Sequence, residues 1–274
     1  MPDRATTGQV APARTGVMGA TTLVVGSGKG GVGKSLVSIW LAAALADLDR
    51  HTLLYDAVPV LPSLDHLLGT PPARNSADIL WRGTALGQQL HRLSASLWLL
   101  PGDADVELLH SLPPDDRARL QRRLWEQFRL FDVVVIDAGP DPDSIVRSLT
   151  LGGDALVVVT TPDPPSIRES YRLIKVAVTA SPVTTVEVVV NRARSAAEGA
   201  DAFAALQRTS VAVLVQELRL LGVILEDPGV ATAVGGGRAG LERLARTTAG
   251  RSLARQLANL LGGSVPSPQR REAK

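Results

Sequence analysis

The chain has 274 residues, of which 45% are hydrophobic, so it holds enough apolar material for one large buried core. It contains no cysteine, which excludes structural disulfides, cysteine-ligated zinc and cysteine-ligated iron–sulfur clusters. Its 29 basic and 27 acidic side chains leave a formal charge of +2, which is too small to indicate a nucleic acid as the main partner.

The sequence offers no evident targeting segment. Residues 1–19 are rich in Pro, Gly and Thr and lack the apolar core of a secretory signal. No apolar run approaches the roughly 20 residues that are needed to cross a bilayer. These patterns predict a cytoplasmic protein.

Predicted strands and helices alternate along the chain. The strands are expected at 21–26, 51–56, 97–102, 131–138, 155–161, 186–191 and 218–225, and the helices at 34–49, 115–129, 166–180 and 241–261. This alternation predicts a single α/β domain with a doubly wound, mainly parallel sheet. The domain would span residues 20–262, between an N-terminal extension (1–19) and a tail (263–274) that are both expected to be disordered.

A glycine-rich segment between the first strand and the first helix carries the clearest chemistry. Residues 28–35 (GKGGVGKS) match the phosphate-loop pattern G-x-x-x-x-G-K-[ST] in full. Glycines let backbone amides surround phosphate oxygens, the lysine reaches the β- and γ-phosphates, and the serine hydroxyl can ligate Mg²⁺. The predicted nucleotide-binding residues are Gly28, Gly30, Gly31, Val32, Gly33, Lys34 and Ser35, with ATP and Mg²⁺ as the cofactors.

Two other interpretations of this segment stay open. Residues 26–31 also fit G-x-G-x-x-G, and Asp56 ends the next strand where a dinucleotide fold would bind ribose. That pattern explains neither the Lys34-Ser35 pair nor the acid that ends a later strand, Asp137. A glycine-rich turn without a ligand is the other alternative.

The loop resembles that of a known class of proteins. Residues 29–35 (KGGVGKS) are similar to the deviant Walker A loop of the MinD/ParA ATPases. In that family the first lysine, here Lys29, reaches across a dimer interface to the partner's nucleotide. The resemblance therefore implies a homodimer that forms on ATP binding and hydrolyses ATP slowly. The alternative is that Lys29 is an ordinary exposed loop lysine.

Further segments extend the resemblance over residues 20–262. Residues 133–139 (VVVIDAG) resemble the Walker B strand and switch II, which implies that Asp137 faces Mg²⁺. Residues 189–192 resemble the stretch that meets the adenine base, which makes Asn191 the candidate for adenine recognition, or else a strand-end turn residue. Residues 160–175 (TTPDPPSIRESYRLIK) and 227–234 (DPGVATAV) are most similar to FlhG-type flagellar-number regulators and to MinD.

The chain departs from the family at two positions. Switch I of the family usually reads D-x-D, and its second acid positions the attacking water; here Val58 follows Asp56 in that place. Asp56 is thus expected in switch I without being sufficient for hydrolysis. An acid in switch II, Asp141, either substitutes for the missing one or caps a helix that begins near Asp143.

Two function hypotheses follow. One is a slow ATPase that switches between monomer and dimer to position a flagellum, a division site or a chromosome, acting through a regulatory or cargo protein. The other is an ATP-binding scaffold with impaired hydrolysis. The amphipathic stretch 251–261, with leucines at 253, 257, 260 and 261, is a core-packing helix or a peripheral membrane anchor. Another hypothesis is non-specific DNA binding through Arg238, Arg243, Arg246, Arg251 and Arg255.

Overall fold

A computed structural model describes most of the predicted domain. The described residues are 20–58, 64–70, 79, 84–102, 112–139, 141–150, 153–182, 185–230, 237–248, 250–251 and 253. The predicted N-terminal extension, the predicted tail and most of the stretch 251–261 lie outside them.

Eight strands within the described residues form one sheet. They are β1 (Thr21–Gly26), β2 (Thr52–Ala57), β3 (His91–Arg92), β4 (Leu97–Leu100), β5 (Val133–Ala138), β6 (Ala155–Thr160), β7 (Thr185–Ala193) and β8 (Arg219–Leu225). Their order is β3-β4-β2-β5-β1-β6-β7-β8, and every pair is parallel except β3–β4. The predicted doubly wound, mainly parallel sheet is therefore confirmed, with one short antiparallel edge added.

The helices connect these strands across both faces of the sheet. They are α1 (Lys34–Asp47), α2 (Leu64–Leu68), α3 (Leu86–Gln89), α4 (Pro114–Phe128), α5 (Pro142–Thr150), α6 (Pro164–Ala180), α7 (Ala196–Leu214) and α8 (Gly237–Arg246). One core packs α1 against the side chains of alternate strand residues such as Leu54, Val135 and Val157. The opposite core packs α4 to α7 against the intervening residues, among them Leu53, Val134 and Val158. This division follows from the two-residue period of a strand, whose successive side chains point to opposite faces.

Between its first turn and Asp47, helix α1 is apolar except for Ser38, and its residues 37–46 are all buried. Helix α1 needs no polar face because the sheet covers one side of it and α8 covers the other. Leu253 joins the same core. A helix with no polar face is stable only inside a protein. The first turn of α1 is thereby held firmly at the carboxyl edge of the sheet, beside the end of β1.

The structure adds elements that the sequence analysis does not predict: α7, the short helices α2 and α3, and the edge strand β3. The predicted helix 241–261 begins earlier, at Gly237, and its first segment ends at Arg246. It is interrupted because the hydroxyl of Thr247 accepts the amide of Gly250 at 3.0 Å, as an N-cap does when it starts a new helical segment. Among the described residues, no helix is both long and apolar enough to span a membrane.

Candidate functional site

The loop that joins β1 to α1 lies at the carboxyl edge of the sheet, where β1 stands between β5 and β6. In it, Gly31 has φ +78° and Gly33 has φ +88°, a backbone conformation that glycine adopts at little cost. Gly33 is also the N-cap of α1 and contributes no side-chain cap. The first backbone amides of α1 are therefore available to an anion, which the partial positive charge of the helix end would also attract.

Close packing fixes the two ends of this loop. A Cβ atom on Gly28 would lie 2.2 Å from the carbonyl oxygen of Glu169 on α6, and one on Gly33 would lie 2.4 Å from Nδ2 of Asn191. Around Gly30 and Gly31, by contrast, a Cβ atom would meet nothing within 4 Å. The middle of the loop thus faces open space, which is the arrangement that a phosphate chain requires.

Asn191, at the carboxyl end of β7, ties that strand to the loop. Its Nδ2 donates to the carbonyl oxygen of Val32 at 2.8 Å, and the residue is buried. The predicted binding residue therefore does lie at the site, where it contacts the loop itself. Its recognition of adenine stays a prediction.

Asp137 is the penultimate residue of β5, lies beside the loop and is fully buried. Its Oδ1 accepts the ammonium of Lys34 at 2.6 Å and the hydroxyl of Ser38 at 2.9 Å. Its Oδ2 has no hydrogen-bond partner within the part of the chain that the structure describes. A buried polar atom without a partner destabilises a fold by about 1–3 kcal/mol, so this oxygen is a place where a ligand would be favoured.

These residues fit Mg²⁺ as a cation that is shared with a nucleotide. Ser35 follows Lys34 in the first turn of α1, and Asp137 offers a buried oxygen on the adjacent strand. The described residues contain no group of three or more His, Cys, Asp or Glu side chains that would hold a metal alone. Mg²⁺ typically takes one or two protein ligands and completes its shell with phosphate oxygens and water.

Lys29 lies on the exposed side of the loop and forms an ion pair within its own chain. Its Nζ is 3.0 Å from Oδ1 of Asp163, and about half of each side chain is exposed. Asp163 is the N-cap of α6, accepting the amide of Ser166 at 3.1 Å and also the hydroxyl of Thr161. Desolvation raises the pKa of Asp163, but the hydrogen bonds from Thr161, Lys29 and Ser166 outweigh it and bring the pKa below its ordinary value.

A cavity of about 460 Å³ adjoins the loop. Its lining includes Lys29, Gly30, Gly31, Val32, Thr161, Asp163, Arg192, Arg194 and Glu226. Arg192 has φ +57° and pairs with Glu226 at 3.5 Å across the cavity rim. The cavity is large enough for the remainder of a nucleotide whose phosphates are held by the loop.

Asp56, predicted in switch I, holds the backbone on both sides of residues 59–63, which lie outside the described residues. It is buried, and its carboxylate accepts the amide of Val58 at 3.2 Å and that of Leu64 at 2.9 Å. It stands directly beside Asp137 in the register of β2 and β5. The side chain at 58 offers no acceptor, because it is valine.

Asp141 caps α5. Its Oδ1 accepts the amide of Ser144 at 2.7 Å, and its carbonyl oxygen accepts the hydroxyl of the same residue at 3.0 Å. This geometry agrees with the capping interpretation of Asp141. The neighbouring Pro140 lies outside the described residues.

The surfaces considered for membrane and DNA binding are only partly described. Leu253 is fully buried, as a core-packing helix requires, while residues 257, 260 and 261 lie outside the described residues. Arg243, Arg246 and Arg251 are exposed; the side chain at 238 and residue 255 are not described. Neither surface is tested by these contacts.

Ser38 and Asp163 are among the residues of the site that were not predicted from the sequence. Ser38 lies four residues after Lys34 and so on the same side of α1, a spacing that the sequence does display. Asp163 precedes two prolines, which is a helix-start signal, but its pairing with Lys29 joins residues 134 positions apart. No local pattern could have indicated that pairing.

Comparison with known proteins gives a consistent result. The CobQ/CobB/MinD/ParA nucleotide binding domain matches residues 23–239. The antiactivator FleN of Pseudomonas aeruginosa is 33% identical over 227 residues, which cover 83% of this chain and 81% of FleN. The flagellum site-determining protein YlxH of Helicobacter pylori is 31% identical over 156 residues, which cover 56% of this chain and 52% of YlxH.

Among solved structures, the MinD cell division protein of Aquifex aeolicus has the same fold. Its TM-score is 0.69 at 23% sequence identity, and the match covers 90% of this chain and 99% of that one. At this identity the likeness concerns the fold alone.

Proposed function

We propose a function for this chain, which belongs to the CobQ/CobB/MinD/ParA nucleotide-binding domain family. It is a Mg²⁺-dependent ATP switch that dimerises on ATP binding and hydrolyses ATP slowly. One observation carries the proposal. Asp137 holds Lys34 at 2.6 Å beside an open glycine loop, while its second oxygen is buried and lacks a partner among the described residues. A phosphate chain with its cation would occupy that loop and use that oxygen.

Each residue has a defined task in this proposal. The loop amides and Lys34 bind the phosphates, and the ammonium offsets negative charge on the β- and γ-phosphates. Ser35 and Asp137 would hold Mg²⁺, which when bound neutralises phosphate charge and orients the nucleotide. Asn191 keeps the loop in shape through Val32.

Dimerisation is assigned to Lys29. This ammonium stands at the exposed side of the loop and pairs with a carboxylate at the protein surface. An exposed ion pair typically contributes only about 0–1 kcal/mol, so little free energy opposes its exchange for a phosphate of a second copy. On dimerisation, the side chain of Lys29 would therefore leave Asp163 and contact the nucleotide bound to the partner.

The biological role is proposed from the relatives. Their names concern an antiactivator, a flagellar site and cell division. We therefore assign this chain to the spatial control of a flagellum or a division site, with a chromosome as the remaining alternative. It would act in the cytoplasm, where a regulatory or cargo protein reads the ATP-bound dimer.

A second candidate, an ATP-dependent scaffold with little turnover, is favoured by Val58. General-base or water-positioning groups contribute a rate factor of about 100 to 10,000, and valine supplies neither function. Binding and dimerisation do not depend on that group. In this alternative the ATP-bound dimer persists and its output is protein interaction alone.

The experiment measures phosphate release and molecular mass of the purified chain with ATP and Mg²⁺. Lys34→Ala removes the phosphate-binding ammonium, and Lys175→Ala is the matched control, because Lys175 is exposed on α6. A switch enzyme gives a dimer that decays as phosphate appears in wild type and in Lys175→Ala, but not in Lys34→Ala. A stable dimer without release supports the scaffold, and a chain that stays monomeric in ATP and releases no phosphate contradicts both candidates.

A further inference from the structure

Ser38 lies against Asp137 inside the protein. The residue is fully buried on α1, and its Oγ is 2.9 Å from Oδ1 of Asp137 and 3.2 Å from the carbonyl oxygen of Lys34. A hydroxyl has only one proton to donate. The carboxylate oxygen is both closer and charged, and charge-assisted hydrogen bonds are shorter and stronger than neutral ones. The hydroxyl of Ser38 therefore donates mainly to Asp137.

The two oxygens of Asp137 are in different situations. Oδ1 accepts from both Lys34 and Ser38, whereas Oδ2 accepts from nothing within the described residues. The terminal torsion of an aspartate is broad, so the carboxylate plane rotates easily unless a neighbour fixes it. The two donors on Oδ1 hold the carboxylate in the orientation that leaves the other oxygen unpaired.

Nucleotide binding would change that arrangement. In the proposed function, on which this inference rests, Lys34 turns to the phosphates, so that Asp137 loses its ammonium partner. The hydroxyl of Ser38 would still hold Oδ1, because Ser38 lies in the buried part of α1, residues 37–46, and this packing fixes its position.

We infer that Ser38 is a positioning residue for the magnesium site. It holds Oδ1 of Asp137 while Lys34 moves to the phosphates, and so presents Oδ2 to Mg²⁺ or to a water molecule of its shell. Groups that orient a metal-binding carboxylate usually contribute a factor of about 10 to 100 in metal affinity. Ser38 thus couples the departure of Lys34 from Asp137 to the arrival of the cation.

A matched control variant distinguishes the positioning of Asp137 by Ser38 from the contribution that a serine hydroxyl makes to its own helix. On α5, the hydroxyl of Ser148 donates to the carbonyl oxygen of Ser144, four residues back, at 3.0 Å. Ser38 makes the same kind of helix contact with the carbonyl oxygen of Lys34, but the hydroxyl of Ser148 donates to a carbonyl oxygen and not to a carboxylate. Ser148→Ala therefore reproduces the loss of a helix hydroxyl away from the site.

The test measures the affinity for a fluorescent ATP analogue, once over a range of Mg²⁺ concentrations and once in EDTA. We expect Ser38→Ala to need about tenfold more Mg²⁺ for half-maximal binding, with its affinity in EDTA changed less than about twofold. Ser38→Thr, which keeps the hydroxyl, and Ser148→Ala should match wild type. Ser38→Cys keeps the size but donates weakly, so it should also lose Mg²⁺ affinity, and it replaces Ser38→Ala if that variant does not fold.

The outcomes separate this inference from the function on which it rests. If wild type binds no analogue at any Mg²⁺ concentration, the proposed function fails. If wild type binds in a Mg²⁺-dependent way but Ser38→Ala and Ser38→Cys have the same Mg²⁺ requirement, only the role of Ser38 is overturned. An equal loss of affinity with and without Mg²⁺ would mark a structural role and would also overturn it.

Discussion

The side-chain amide of Asn191 donates to the carbonyl oxygen of Val32 at 2.8 Å and so joins the end of β7 to the phosphate loop, 159 positions away in the chain. Because the bond is buried, its loss leaves a carbonyl without its donor, which costs about 1–3 kcal/mol. The sequence suggested adenine recognition for this residue. The contact indicates instead that Asn191 stabilises the loop, so its loss would weaken the binding of every nucleoside triphosphate equally.

We expect Asn191→Ala to weaken ATP, GTP and CTP binding by similar factors, of about tenfold, because the loop that binds their common phosphates is loosened. Isothermal titration with each nucleotide tests this. Gln207→Ala is the control, since Gln207 Oε1 accepts the amide of Leu218 at 2.9 Å and Gln207 does not line the cavity beside the loop. A loss confined to ATP would instead favour direct contact with adenine.

The glycines of the loop should differ sharply in their tolerance of alanine. Gly28→Ala places a methyl group 2.2 Å from the backbone of α6, so we expect the free energy of unfolding to fall by about 1–3 kcal/mol. Gly30→Ala meets nothing within 4 Å and should leave stability nearly unchanged. Urea denaturation of both variants without nucleotide provides the measurement. Equal destabilisation would mean that α6 does not pack on the loop as described.

How much of this site the sequence could predict depends on the range of each interaction. The glycine loop, Lys34 and Asp137 were predicted because each is marked by a local pattern: a strand, a spacing, a helix start. The strand predicted at 131–138 is observed as Val133–Ala138; it was predicted because parallel strands are buried on both faces and appear as continuous β-branched runs. The pairs Lys29–Asp163 and Ser38–Asp137 exist only once the sheet has brought distant segments together.

Helix α7 begins with a helix-start pattern that is visible in the sequence. Its N-cap, Ser195, accepts the amide of Glu198 at 3.1 Å, and Ser-x-x-Glu is the capping-box pattern. The helix was not predicted because its sequence is rich in Ala and small polar residues, so the helical spacing of large apolar residues is not evident. Its one-sided burial appears only when it packs between α6 and the strands β7 and β8.

The pKa of Asp163 offers a direct test of the Lys29 ion pair. It lies below its ordinary value partly because Lys29 donates to the carboxylate, so this contact stabilises the fold at neutral pH and is lost as pH falls through that lowered pKa. Lys29→Met should therefore raise the pKa of Asp163 in a carbon-13 NMR titration, and Lys175→Met should not change it. An unchanged pKa in Lys29→Met would show that Lys29 does not contact Asp163 in solution.

Asp141 should be dispensable for catalysis but not for stability. Because its Oδ1 accepts the amide of Ser144 at the start of α5, Asp141→Ala should lower the free energy of unfolding by about 0.5–2 kcal/mol. Asp141→Asn keeps a capping oxygen and should retain both stability and the rate of ATP hydrolysis. Thermal unfolding and phosphate release are measured together. Hydrolysis that is abolished in Asp141→Asn would identify this acid as the substitute for the one missing at position 58.

Val58 should limit hydrolysis, since its side chain cannot accept a hydrogen bond from water while its amide is already bound to Asp56 at 3.2 Å. We expect Val58→Asp to raise the single-turnover rate by about ten- to a hundredfold, because a carboxylate at this position can orient the attacking water. Val58→Thr is the control, because it keeps the branched shape without the charge. A faster Val58→Asp with unchanged ATP affinity would mean that the wild-type chain is a switch slowed at one residue. If Val58→Asp is no faster than Val58→Thr, another group already positions the water, and the scaffold alternative loses the observation that favours it.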